Sequence, residues 1–378
     1  MLSEAERRVV VFLAGVDGIG TATLWRLIDW ARKNQVELKF IAEKPAKCPI
    51  ISQSNKVMSK IGQFLQLHTV DSYLEWLDDQ KIQVVLSEEP RYPIFLKQTE
   101  SQPLVLYYRG ESTLFQSSKP IAVVGTRRAT AYGRRATQAI VSDLVRLGAT
   151  IVSGFMYGID TIAHQSAIDA GGATIAVLGF GFGQMFPSSH AQLFEQLLQQ
   201  NAVFISQFAP NTPACPGNFP ARNQIVAGLA LATVVVEAAT QSGSMITANS
   251  ALDEGRAVCA VPGPFDNPFS QGTKWLINQG ATLVTSGKDV LVEAGLISTA
   301  EKYSQQGVPA TQIRELNSIQ IELVNLISTG TQLSDELADQ LMIPVDQLSI
   351  ELTQLEMMGI VQREQDGWVI LQSVTMQV

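Results

Sequence analysis

The chain has 378 residues, enough for two to three domains at roughly 150 residues each. It is 46% hydrophobic and only 16% charged, which excludes a disordered chain and a long charged coiled coil. Its net charge of -8 at first sight counts against a nucleic-acid partner.

That charge is unevenly placed. From Ala310 onward two basic residues, Arg314 and Arg363, stand against ten acidic ones, and the preceding residues are neutral overall. Between Ile121 and Arg146 the arginines 127, 128, 134, 135 and 146 face only Asp143, so an anion is expected to be attracted there. Cys48, Cys215 and Cys259 lie far apart, against a disulfide framework or a zinc ribbon. The opening MLSEAERR has no apolar signal core. The most apolar stretch, Ile225 to Ala239, is interrupted by Thr233 and Glu237 and is shorter than the ~18 residues of a spanning helix. A cytoplasmic protein with no membrane partner is expected.

Residues 1–87 read as a helical domain of helix-hairpin-helix or SAM-like type. Val9 to Leu13 leads into the glycine-bounded turn Gly15 to Gly20, and Leu24, Leu27, Ile28 and Ala31 then recur at helical spacing. Residues 88–300 hold short, charge-free, β-branched runs alternating with helical stretches: 121–124, 150–152, 174–178, 202–205, 233–236 and 257–261. Such runs suit a parallel sheet buried on both faces, so the expected fold is α/β with a Rossmann-like doubly wound parallel sheet. Residues 301–309 have linker composition. In 310–378 three helical stripes precede a hairpin around Asp366-Gly367, which reads as a winged helix. Its third helix carries Asp346, Glu351 and Glu356 and no base, so protein docking is expected there rather than DNA binding.

Ligands of open α/β sheets bind beyond the carboxyl ends of the strands. Gly125, Thr126, Arg127 and Arg128 follow the first run, where glycine permits close approach and arginine grips a phosphate. Ser153, Gly154 and Gly158 follow the second. There Asp160 reads as a helix cap hydrogen-bonded to His164 rather than as an acid-base pair. Gly179, Gly181 and Gly183 do not form a dinucleotide fingerprint, and no P-loop is present, so no cofactor is expected. Phe219, Arg222 and Asn223 precede Glu237 and a serine-rich helix start, Ser242, Gly243, Ser244 and Thr247, which reads either as a phosphate cradle or as ordinary capping.

At these residues the chain resembles the DNA-processing protein A (DprA/Smf) family. The matching motifs are Tyr92-Pro93, AVVGTR (122–127), VSGFMYGIDTIAH (152–164), FPARN (219–223), VVEAATQSGSMITA (235–248) and GRAVCAVPG (255–263). The resemblance implies a non-enzymatic, homodimeric protein that binds single-stranded DNA, protects it, and loads the RecA recombinase during natural transformation. It also implies phosphate contacts from Gly125, Thr126, Arg127, Ser153, Gly154 and Arg222, with a stacking surface at Phe219. Gln224 stands where the family pattern carries an arginine, and Ser188 and Ser189 where it often includes a lysine, so two basic groups are missing and weaker or more salt-sensitive assembly is expected. Two alternatives stay open: a phosphoribohydrolase-like enzyme using Glu237 beside Ser242-Gly243-Ser244, and a protein adaptor that has lost DNA binding.

Overall fold

The β-branched runs between 120 and 260 become strands because each offers apolar side chains to both faces of a sheet and no charge to bury. The computed structural model describes residues 2–298, 316–328, 333–358, 360–364 and 367–370. The chain forms two units, Met1–Leu296 and Ile297–Val378.

The first unit opens with helices α1 (Glu4–Ala14), α2 (Thr21–Lys33), α3 (Leu38–Glu43), α4 (Pro49–Ser52), α5 (Asn55–Leu67) and α6 (Val70–Asp79). Leu24, Leu27, Ile28 and Ala31 form the buried stripe of α2, as their spacing requires. Strands β1 (Gln83–Leu86) and β2 (Val105–Gly110) pair antiparallel. Their alternation joins the helical module to the sheet: Val84, Leu86, Val105 and Tyr107 pack into the helical core, while Val85, Leu106 and Tyr108 pack into the core of the main sheet. Residues 83–86, within the 1–87 expected to be helical, form a strand of this sheet instead.

The parallel strands are β3 (Pro120–Val124), β4 (Thr150–Ser153), β5 (Ala173–Val177), β6 (Ala202–Ser206), β7 (Ala232–Val235), β8 (Ala257–Ala260) and β9 (Thr282–Leu283). The sheet order is β1-β2-β6-β5-β4-β3-β7-β8-β9. Helices α7 (Ala131–Arg146), α8 (Ile159–Asp169), α9 (Ala191–Leu198), α10 (Asn218–Leu229), α11 (Gly243–Asp253), α12 (Gln271–Asn278) and α13 (Gly287–Glu293) complete the unit. β5 shows the double burial: Ile175 and Val177 enter one core and Ala176 the other. From β3 the chain winds outward to β6, then returns to the other side of β3 with β7. The crevice where a doubly wound sheet takes its ligand therefore lies beyond the carboxyl ends of β3 and β7.

The second unit has helices α14 (Ser318–Ser328), α15 (Ser334–Leu341) and α16 (Val345–Met357), then the antiparallel pair β10 (Val361–Glu364) and β11 (Gly367–Ile370). Leu323, Ile327, Leu337, Leu348, Leu352, Leu355 and Trp368 share its core. Three helices and a hairpin are the winged-helix order. The linker expected at 301–309 lies outside the described residues. Glu351 departs from the acidic face expected of α16: it is buried and accepts Asn317 Nδ2 at 3.0 Å, which leaves Asp346 and Glu356 exposed there.

Candidate nucleic-acid interface

The switch point is closed by backbone. Thr126 N–H donates to Glu237 O at 2.7 Å, tying the turn after β3 to the end of β7. A side chain at Gly125 would place its Cβ 2.6 Å from Ile159 Cγ1 and 2.9 Å from Glu237 O, so only glycine fits this approach. Above this closure lies a cleft of about 690 Å³.

Twelve of the residues singled out from the sequence meet on its wall. They are Gly125, Thr126, Arg127 and Arg128 from the β3 turn, Gly154 from the β4 turn, Phe219, Arg222 and Asn223 from α10, and Ser242, Gly243, Ser244 and Thr247 from α11. Ser153 is not among them. It is fully buried and its hydroxyl donates to Val123 O at 2.6 Å, so it supports the strand end rather than facing a ligand. Gly158 faces a neighbouring groove instead, at a φ of 80° that favours glycine. Met156, Asp160, Phe186 and Phe269 also line the cleft. Of these, Phe186 had a readable signal, an aromatic in a glycine-bordered loop, and it is 41% exposed.

Phe219 is the centre of the arrangement. Its ring lies 5.6 Å from Arg127 Cζ and 5.8 Å from Arg222 Cζ, with Phe186 tilted against it at 5.9 Å. Two guanidinium groups thus lie within cation–π distance of one ring. Their roles differ with burial. Arg127 is exposed, whereas Arg222 is buried and its Nη1 donates to Val177 O at 2.9 Å and to Gly154 O. Burial lowers the Arg222 pKa to about 10, opposed by the nearby Asp160 carboxylate, so it remains cationic at neutral pH. Asp160 is pushed up to about 6, chiefly by burial and against the pull of Arg222. At the cleft's far wall Asn223 Nδ2 donates to Gly243 O at 3.0 Å, fastening α10 to the start of α11. Ser242 Oγ and Ser244 Oγ lie 2.8 Å apart at that helix start, where the first-turn amides are available to an anion.

Two expectations about polar residues need correction. Asp160 sits inside α8 rather than capping it, and its carboxylate accepts Met156 N–H at 3.4 Å. His164 bonds through Nδ1 to Thr174 Oγ1 at 2.7 Å, not to Asp160. Since the Thr174 hydroxyl donates to Ile151 O, His164 Nδ1 carries the proton, and burial pushes its pKa down to about 3. Glu237 is 1% exposed and accepts from Thr130 N at 3.0 Å, Thr130 Oγ1 at 2.6 Å and Asn267 Nδ2 at 3.3 Å. It serves the N-terminus of α7 and is not on the cleft wall, so the phosphoribohydrolase reading loses its carboxylate.

The family model described as DNA recombination-mediator protein A matches residues 83–295, more than half of the chain. The chain belongs to this family. A second model, the DprA winged helix domain, matches residues 308–367. Among curated relatives, Protein Smf of Escherichia coli is 35% identical over 335 residues, covering 85% of this chain and 87% of that protein. DNA processing protein DprA of Bacillus subtilis is 37% identical over 215 residues, covering 57% of this chain and 72% of that one. The solved structure of DNA processing protein A from Streptococcus pneumoniae is 31% identical, with a TM-score of 0.63 over 76% of this chain and 97% of that one. A structure of the Helicobacter pylori protein, described in terms of its single-stranded DNA binding mode, is 26% identical, with a TM-score of 0.50 over 55% of this chain and 93% of that one. Among the described residues no helix is long and apolar enough to cross a membrane.

Proposed function

We propose that the cleft binds the backbone of single-stranded DNA, and that the chain protects such strands and loads RecA onto them during natural transformation. The observation that carries this reading is Phe219 within cation–π distance of both Arg127 and Arg222, in the cleft that the start of α11 also lines. Cations and helix amides suit phosphates, and an aromatic face suits a base that is not stacked in a duplex. The Helicobacter pylori relative's single-stranded DNA binding supports the same partner. The role is that of a binding protein rather than an enzyme, acting in the cytoplasm as a homodimer. The adaptor reading is disfavoured because Arg127 and Arg222 both line the cleft. In the second unit α16 is the face for a protein partner, since its exposed acids, Asp346 and Glu356, repel DNA.

The test is fluorescence anisotropy of a labelled oligonucleotide on the full chain, with duplex DNA and a nucleoside monophosphate as competitors. Salt-dependent binding that an unlabelled single strand displaces and a duplex displaces poorly is the expected result. Equal displacement by the monophosphate would return the reading to a nucleotide enzyme, and no binding at low salt would leave the adaptor.

A further inference from the structure

The Arg127-Arg128 turn borders a second groove, of about 560 Å³, on its other side. That groove is lined by Arg127, Arg128, Arg134, Tyr157 and His190, and among the described residues no acidic one contributes to its wall. The segment after β4 divides the two spaces. Phe155 adopts a φ of 55°, unusual for an aromatic residue, and Gly158 a φ of 80°. Of the two residues between them, Met156 lines the cleft and Tyr157 lines the second groove. The Phe155 backbone is held by its buried ring, which packs edge-on against Phe204 at 4.9 Å.

Tyr157 is 47% exposed, yet it is fixed at both ends. Its hydroxyl is 2.8 Å from Ser189 Oγ, and its ring meets His190 edge-on at 4.8 Å, with His190 itself backed by Phe155 at 5.1 Å. Burial holds His190 below the usual histidine range, so it is neutral at pH 7 and backs the ring without adding charge. An open, immobilised aromatic face beside three arginines is a poor use of apolar surface unless something flat and anionic covers it.

We propose that Tyr157 is a second nucleobase platform: the strand held in the Phe219 cleft crosses the Arg127-Arg128 turn and stacks one unpaired base on Tyr157, with Arg134 near its phosphate. This rests on the single-strand reading of the cleft and extends it to where the strand goes next. Because a duplex keeps its bases stacked inside, the platform favours single strands without reading sequence.

The experiment compares wild type, Tyr157→Ala and Tyr157→Trp, as full chains, on two labelled polymers of equal length: oligothymidylate and an abasic oligomer with the same phosphates. Tyr157→Ala is expected to bind oligothymidylate about tenfold more weakly, the scale of one lost base–aromatic stack. It is expected to bind the abasic oligomer as wild type does, with the same salt slope, and Tyr157→Trp is expected to restore the loss. Unchanged oligothymidylate binding in Tyr157→Ala overturns the platform, and so does an equal loss on both polymers. If wild type binds neither polymer, the cleft reading fails first and takes the platform with it, an outcome distinct from either.

Discussion

The cleft of the first unit and helix α16 of the second belong to two architectures that commonly meet nucleic acid, and they carry opposite charge. Around the β3 turn, Arg127, Arg128, Arg134 and Arg135 are exposed, whereas the exposed charges of α16 are Asp346 and Glu356. The winged-helix order alone would send DNA to α16. Phosphate electrostatics sends it to the cleft, because the backbone supplies most of the affinity of a nucleic-acid complex and is anionic throughout. Fold marks a place for a ligand, and side chains decide which ligand comes.

The largest expected effect strikes the cleft's frame. Arg222→Ala removes the donors that Val177 O and Gly154 O accept and leaves Asp160 buried without its cation. A stability loss of about 3 kcal/mol or more is expected in urea unfolding, together with lost binding. Unchanged stability would make Arg222 a ligand group alone.

Next comes Arg127→Ala, which takes an exposed cation and a cation–π partner of Phe219 but no buried bond. Stability should hold while single-strand affinity drops tenfold or more, on the order of one charged hydrogen bond. The salt slope should fall by about 0.7. A loss of affinity with the slope intact would mean that Arg127 touches no phosphate.

On α8, His164 and Asp160 oppose each other in their pH dependence. His164, with its folded pKa lowered to about 3, binds fewer protons when folded than when unfolded, so its contribution to stability is lost as pH falls below about 6.5. Asp160, raised to about 6, binds more protons when folded, so its contribution rises over pH 6 to 4. Each slope is about 1.4 kcal/mol per pH unit, and between pH 4 and 6 they largely cancel. His164→Asn keeps a donor for Thr174 and removes one slope. The variant should therefore gain stability as pH falls from 6 to 4, where wild type stays nearly flat by denaturant titration.

The smallest effect belongs to α16. Neutralising it as Asp346→Asn with Glu356→Gln should leave oligonucleotide affinity within about twofold at 0.15 M salt, where single exposed charges are worth little. A tenfold gain would show that the second unit gates access to the cleft by repulsion.

What could be read from the sequence divides along the same physical line. Strand positions and the residues just after them follow from local pattern, so the β3 turn, the FPARN segment and the start of α11 were legible as one candidate site before any fold was known. Side-chain direction in the interior was not. Ser153 turns to Val123 O, Glu237 to Thr130, and His164 to Thr174, ten positions along the chain, because strand pairing brings those partners within reach. Glu351 is drawn inward in the same way, its partner Asn317 lying on the approach to α14. Antiparallel β1 and β2 carried no turn signal to announce them, and their pairing is visible only in the sheet.

The most direct test of the central claim is photocrosslinking of a 4-thiothymidine oligonucleotide to the full chain, with the attached peptides identified by mass spectrometry. Crosslinks are expected in the segments around Arg127 and Phe219 and none in Val345–Met357. Crosslinks concentrated in α16, with the Phe219 segment unlabelled, would contradict it.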